Sequence, residues 1–115
     1  MAYMLLIVEP QGQRRARPQP EGHGAYQRML DYTESLKTRG FLLASNSLRE
    51  GAARLSMRAG RQNVVDGPFT ESKELVGGFF LLDCGTREQA LGLAAECPAA
   101  EWATIEVREV GPCYE

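Results

Sequence analysis

Two short runs of almost unbroken apolar residues constrain this chain most: Met4-Leu5-Leu6-Ile7-Val8 near the start and Gly77-Gly78-Phe79-Phe80-Leu81-Leu82 later on. A surface helix would repeat its apolar residues every three or four positions, and a half-wet strand would alternate them. Neither run does either, so residues 3–9 and 77–83 are expected to be central strands buried on both faces. Both are far shorter than the ~20 residues that cross a bilayer, and no basic stretch precedes the first, so neither a membrane span nor a secretion signal is expected.

Between these runs the pattern changes. Tyr26, Met29, Leu30, Thr33, Leu36 and Lys37 recur at helical spacing, which predicts a helix over residues 24–39, with Tyr26 on its buried stripe and Gly40 as its left-handed stop. Phe41-Leu42-Leu43-Ala44 follows as a strand, expected to pair in parallel with the first strand through the helical crossover. The stretch Pro10–Gly24, rich in proline, glycine and arginine, reads as a long mobile loop. Leu55 and Met57 alternate with polar residues, and Asn63-Val64-Val65 follows a turn at residues 59–62, which suggests a hairpin on the sheet edge. Thr86 and Gln89 have the spacing of a capping box, and Ala90, Leu91, Ala94 and Cys97 give the helix after them an apolar face that ends at Pro98. The last strand turns Ala103, Ile105 and Val107 inward and Thr104, Glu106 and Arg108 outward.

The order strand, helix, strand, hairpin, strand, helix, strand specifies an α+β fold: a ferredoxin-like split βαβ sandwich with an inserted hairpin, forming one domain over residues 1–115. Two helices cover one face of such a sheet. Its other, apolar face needs a cover, and a second copy is the simplest, which makes a homodimer the expected assembly.

A net charge of −2 offers phosphate backbones no general attraction, so nucleic acid is not an expected partner. Cys84, Cys97 and Cys113 form neither a disulfide framework nor a zinc pattern, which fits a reducing cytoplasm, with Cys84 and Cys97 as core residues and Cys113 exposed. The single histidine, His23, has no accompanying cluster of carboxylates, so no metal is expected, and no motif calls for a cofactor. Gly77-Gly78 lacks the context of a phosphate loop. Trp102 is expected to pack at an interface.

The most particular segment is Asp66-Gly67-Pro68-Phe69, followed by Glu71-Ser72-Lys73-Glu74. Gly67 and Pro68 make a rigid corner. Asp66 has two readings there: a fixed carboxylate that accepts a proton or orients a ligand, or an acceptor for backbone N–H groups in its own turn. His23, the one imidazole, is the candidate partner for acid–base work, with a flexible surface residue as its plainer reading. Arg14, Arg17, Lys73 and Glu71 are candidate ligand contacts, the arginines because guanidinium forks suit anions.

Asp66-Gly67-Pro68-Phe69, Glu71-Ser72-Lys73-Glu74 and Gly77-Gly78-Phe79-Phe80 together resemble the signature of the DGPF group of the YCII-related family, and the likeness runs from Tyr3-Met4-Leu5-Leu6 to Ile105-Glu106-Val107-Arg108. The resemblance implies a dimeric α+β barrel built from two facing ferredoxin-like sheets. It also implies two functions: chemistry on a small molecule by a His and Asp pair in a cleft, in some relatives on lactones of aromatic-ring degradation, or accessory work beside a sigma factor or regulator. In the catalytic branch the histidine lies on the first helix, at a position that falls near Met29 here; His23 is about six residues earlier. A small polar or anionic molecule near Asp66 is therefore the expected ligand, with a non-catalytic, sigma-factor-linked accessory protein as the alternative.

Overall fold

A computed structural model describes residues 1–69 and 71–114. Its elements are β1 (Ala2–Pro10), α1 (Gln13–Ala16), α2 (Gln19–Thr38), β2 (Leu42–Ser47), β3 (Ala53–Arg58), β4 (Arg61–Asp66), β5 (Glu74–Asp83), α3 (Arg87–Ala95), a single 3-10 turn at Pro98–Glu101, and β6 (Thr104–Glu109). The main sheet has the order β2-β5-β1-β6, and β3 and β4 form a separate two-stranded sheet. This is an α+β, ferredoxin-like arrangement with an open sheet, as the pattern of elements predicts.

Three expectations are corrected. β2 does not pair with β1: it lies antiparallel to β5, which sits between them, so β1 and β2 run in the same direction one strand apart. A helical crossover fixes direction but not adjacency, and the vacant slot is filled by a strand that makes the better aligned antiparallel bonds on both sides. Second, the hairpin does not extend the main sheet, whose edges are β2 and β6. It turns back on itself at Ala59-Gly60, both at positive φ, which is the two-residue turn that matches strand twist. Third, residues 10–24 are not a long loop. Gly12, at φ 82, turns the chain into α1, and α2 begins at Gln19 with Pro20 in its first turn, where the missing N–H costs no hydrogen bond.

The core lies between the sheet and the helices. Tyr3, Leu5 and Ile7 from β1, Phe80 and Leu82 from β5, Tyr32 and Leu36 from α2, and Leu93 and Ala94 from α3 are buried together, with Leu5, Leu36 and Leu82 fully so. Tyr32 donates to the Leu93 carbonyl at 2.7 Å and stands edge-on to Phe80, 5.2 Å between ring centroids. Burial pushes the pKa of its hydroxyl well up. Cys84 and Cys97 are buried and Cys113 is exposed, as expected. Thr86 caps α3 by accepting from the Gln89 N–H, while the Gln89 side chain accepts from the Gly85 N–H. Gly40 closes α2 at φ 81.

Two details of burial differ from expectation. β1 is buried on the helix side but only half-buried at Met4, Leu6 and Val8 on the other. Tyr26 is 59% exposed rather than core, because two steps of three residues carry it roughly 120° around α2 from Tyr32.

Candidate functional site

The inward register of β1 runs Tyr3, Leu5, Ile7, Glu9, so the strand delivers a carboxylate to a position where the pattern elsewhere puts core residues. Glu9 is 5% exposed. The turn at Gly12 folds α1 back over the strand end, and Arg14 Nε comes within 2.7 Å of Glu9 Oε1. At that distance the guanidinium and the carboxylate attract each other directly, in a site with little water to screen them. Arg14 spends its other nitrogens on backbone: Nη1 donates to the Leu48 carbonyl at 2.6 Å and Nη2 to the Gly77 carbonyl at 2.9 Å.

Gly77 makes this geometry possible. It is the extra residue of a β-bulge, since β1 pairs Ile7 with Gly78 and then Val8 with Val76. A Cβ at Gly77 would stand 2.6 Å from Arg14 Nη2 and from Glu9 Oε1. At Gly78 the obstacle is backbone, because a Cβ would meet the Asn46 carbonyl oxygen at 2.9 Å. The glycine pair is therefore a demand of close approach at the site and at β2.

The Glu9 and Arg14 pair lies on the floor of a cleft of about 580 Å³ between α2 and the sheet, with Arg17, Tyr26, Met29 and Trp102 among its walls. Burial raises the Glu9 pKa above its usual value, and the Arg14 charge partly offsets this. Glu9 thus holds a proton more readily than an exposed glutamate, which suits it to exchange one with a bound polar group. Trp102 carries two guanidiniums near its ring: Arg17 at 5.3 Å and Arg28 at 5.7 Å from the centroid. Arg28 is ion-paired with Glu101.

Of the residues singled out in the sequence, Arg14 and Arg17 line this cleft. The others lie elsewhere. Asp66 is exposed at the end of β4, opposite Ala53, and His23 is exposed on α2; neither lines this cleft or the second, broader groove of about 910 Å³ beside Phe69. Glu71 is ion-paired with Arg54 at 3.2 Å. Lys73 contributes its carbonyl to the Gln11 N–H, with its side chain exposed. The corner after β4 acts as a clasp: the Gly67 N–H donates to the Ala52 carbonyl at 2.7 Å, and Arg54 stacks 3.7 Å over the Phe69 ring. Trp102 is part of the cleft wall, a role its place before the last strand does not reveal. Glu9 was not among the sequence candidates at all; the signal for it was its parity with Tyr3, Leu5 and Ile7.

The family model described as the YCII-related domain matches residues 1–113. An uncharacterized protein of Rhizobium meliloti (strain 1021) is 44% identical over 59 residues, which are 50% of this chain and 48% of that protein. The chain thus spans about half the length of the curated relative it matches. Among solved structures, 5-chloro-2-hydroxyhydroquinone dehydrochlorinase from Burkholderia phenoliruptrix AC1100, in complex with 2,5-dihydroxybenzoquinone, superposes with a TM-score of 0.57 at 14% identity, over 96% of this chain and 94% of the other. That likeness is one of fold.

Proposed function

Because this chain belongs to the YCII-related domain family, we propose that it takes a small, polar, ring-shaped molecule into the cleft between α2 and the sheet, with Glu9 as the group that exchanges a proton with it. One observation carries the reading: a carboxylate 5% exposed, on the floor of a cleft with apolar walls and tied to one guanidinium. Buried carboxylates are costly to keep and recur where a proton must move. In the simplest step Glu9 accepts the proton of a ligand hydroxyl, becoming a carboxylic acid and leaving an oxyanion beside Arg14. The solved neighbour's complex with a dihydroxybenzoquinone supports a hydroxylated ring as the first class to try.

The test is a thermal-shift screen of hydroxyquinones, hydroxylated benzoates and unsaturated lactones against wild type and Glu9→Gln, since a ligand that binds the folded state alone raises the melting temperature. A rise in wild type that is lost in a folded Glu9→Gln protein is the expected result. Equal rises in both, or none with any compound, would remove Glu9 from the role.

The same reading includes self-association through the bare sheet face. The chain exposes 8062 Å², against about 6,200 Å² for a monomer of its mass. The excess of about 1,800 Å² per chain, or about 3,600 Å² for a pair, falls in the range that obligate homodimer interfaces bury. Sedimentation velocity tests it: a species of twice the chain mass is expected, and a monomer at high concentration would end the claim.

A further inference from the structure

The charges around the cleft are unequal. Its ionisable walls and floor hold one carboxylate, Glu9, against two guanidiniums, Arg14 and Arg17, in a chain whose net charge is −2. Arg14 is committed to Glu9 and to two carbonyl oxygens. Arg28, which also lies near the Trp102 ring, is committed to Glu101. Arg17 has no carboxylate partner among the described residues, yet it lines the cleft and is held in place by the Trp102 ring.

We propose that Arg17 is the anion-recognising residue of the cleft, and that the ligand is a hydroxylated aromatic or enolic acid that sets its acidic group on Arg17 and its hydroxyl toward Glu9. A guanidinium already stacked on an indole has lost part of its freedom, so little more ordering is needed when it binds a carboxylate. The two groups are close enough for Arg17 to favour the charged form of Glu9, so a ligand anion that neutralises Arg17 also makes Glu9 the readier proton acceptor. A neutral ligand gains neither effect, and a ligand with two negative charges must bring the second against Glu9. The cleft therefore selects single anions. This rests on the proposed function of the same cleft and adds the charge of its ligand.

The experiment compares para-hydroxybenzoate with its neutral isostere para-hydroxybenzamide by titration calorimetry, in wild type, Arg17→Gln and Arg17→Lys, with thermal melts to show that each protein is folded. Wild type is expected to bind the acid roughly tenfold more tightly than the amide, the usual scale of one charge-assisted contact at a half-open site. Arg17→Gln should bring that ratio close to one, and Arg17→Lys should recover part of the preference. The ratio in wild type should also shrink with added salt, which needs no variant. Equal affinity for acid and amide in wild type, or an unchanged ratio in Arg17→Gln, overturns the proposal and leaves the binding function standing. Failure of both probes to bind wild type also overturns the proposal, and only failure of every compound in the thermal-shift screen overturns the function beneath it.

Discussion

A Cβ placed on Gly77 would stand 2.6 Å from the carboxyl carbon of Glu9, so the absence of a side chain at one residue fixes where the other can sit. The two neighbouring glycines of β5 should therefore respond differently to the same change. At Gly77 the obstacles are ends of side chains, which move; at Gly78 they are the Asn46 carbonyl and the Ser47 Cα, which do not. Gly77→Ala is expected to displace the Glu9 and Arg14 pair, abolishing ligand-induced stabilisation at a cost of about 1 kcal/mol. Gly78→Ala should cost more, about 2 to 3 kcal/mol, because β2 must shift. Urea midpoints of the two variants, read beside the ligand screen, decide it.

The pH dependence of stability should carry the mark of Glu9. Its folded pKa is raised above the usual 4.5, chiefly by burial, so between 4.5 and the folded value the native state holds the proton more tightly than the unfolded chain. Stability contributed by this group is therefore full below 4.5 and declines as pH rises through the window. Glu9→Gln should flatten that decline. Arg14→Gln removes the opposing charge and should steepen it and carry it to higher pH. Melting temperatures of the three proteins from pH 4 to about 8 give the comparison.

Asp66→Asn separates the two acidic candidates. Asp66 is exposed and lies outside the cleft that holds Glu9. The substitution is expected to leave the ligand-induced rise in melting temperature unchanged, whereas Glu9→Gln removes it. Loss of the rise in both would return Asp66 to the site.

Arg54 ties the hairpin to the corner that follows it, through the Phe69 ring, Glu71 and Ser72. Because these contacts are largely exposed, Arg54→Ala should cost no more than about 1 kcal/mol overall. Its effect should be local. Amide hydrogen exchange is expected to quicken across β3 and β4 while β1 and β5 keep their protection, and uniform quickening would show that the clasp supports the whole fold.

The core hydroxyl of Tyr32 offers a further check. Tyr32→Phe keeps the edge-on contact with Phe80 and loses the bond to the Leu93 carbonyl, which still accepts from the Glu96 N–H. A loss of about 1 kcal/mol in urea unfolding is expected.

What the sequence revealed was what neighbouring residues decide among themselves. The Thr86 and Gln89 cap, the Gly40 stop and the inward alternation of Ile105 and Val107 are each fixed within one turn or strand, and each could be read directly. The place of β2 beside β5 depends on which strand fills a gap, and no local pattern records that. Proline and glycine content hid the start of α2, because Pro20 sits in the first turn, where a helix tolerates it. Arg14 and Arg17 were legible as candidate contacts for an anion, because guanidinium forks suit that role. Glu9 was not, since a charged residue at the end of an apolar run looks like the strand leaving the core. Only its parity with Tyr3, Leu5 and Ile7, together with the return of α1, turns it inward.

The molecule is a slab, 47 by 42 Å across and 18 Å through. Its cleft opens on the helix side, while Met4, Leu6 and Leu81 are half-buried on the opposite side. A copy stacked on that opposite side would therefore leave both mouths facing outward, each reached by diffusion without passing the other chain. Occupancy of one mouth would not shade its twin, so a titration should saturate at one equivalent per chain along a simple hyperbola, with a Hill coefficient close to one.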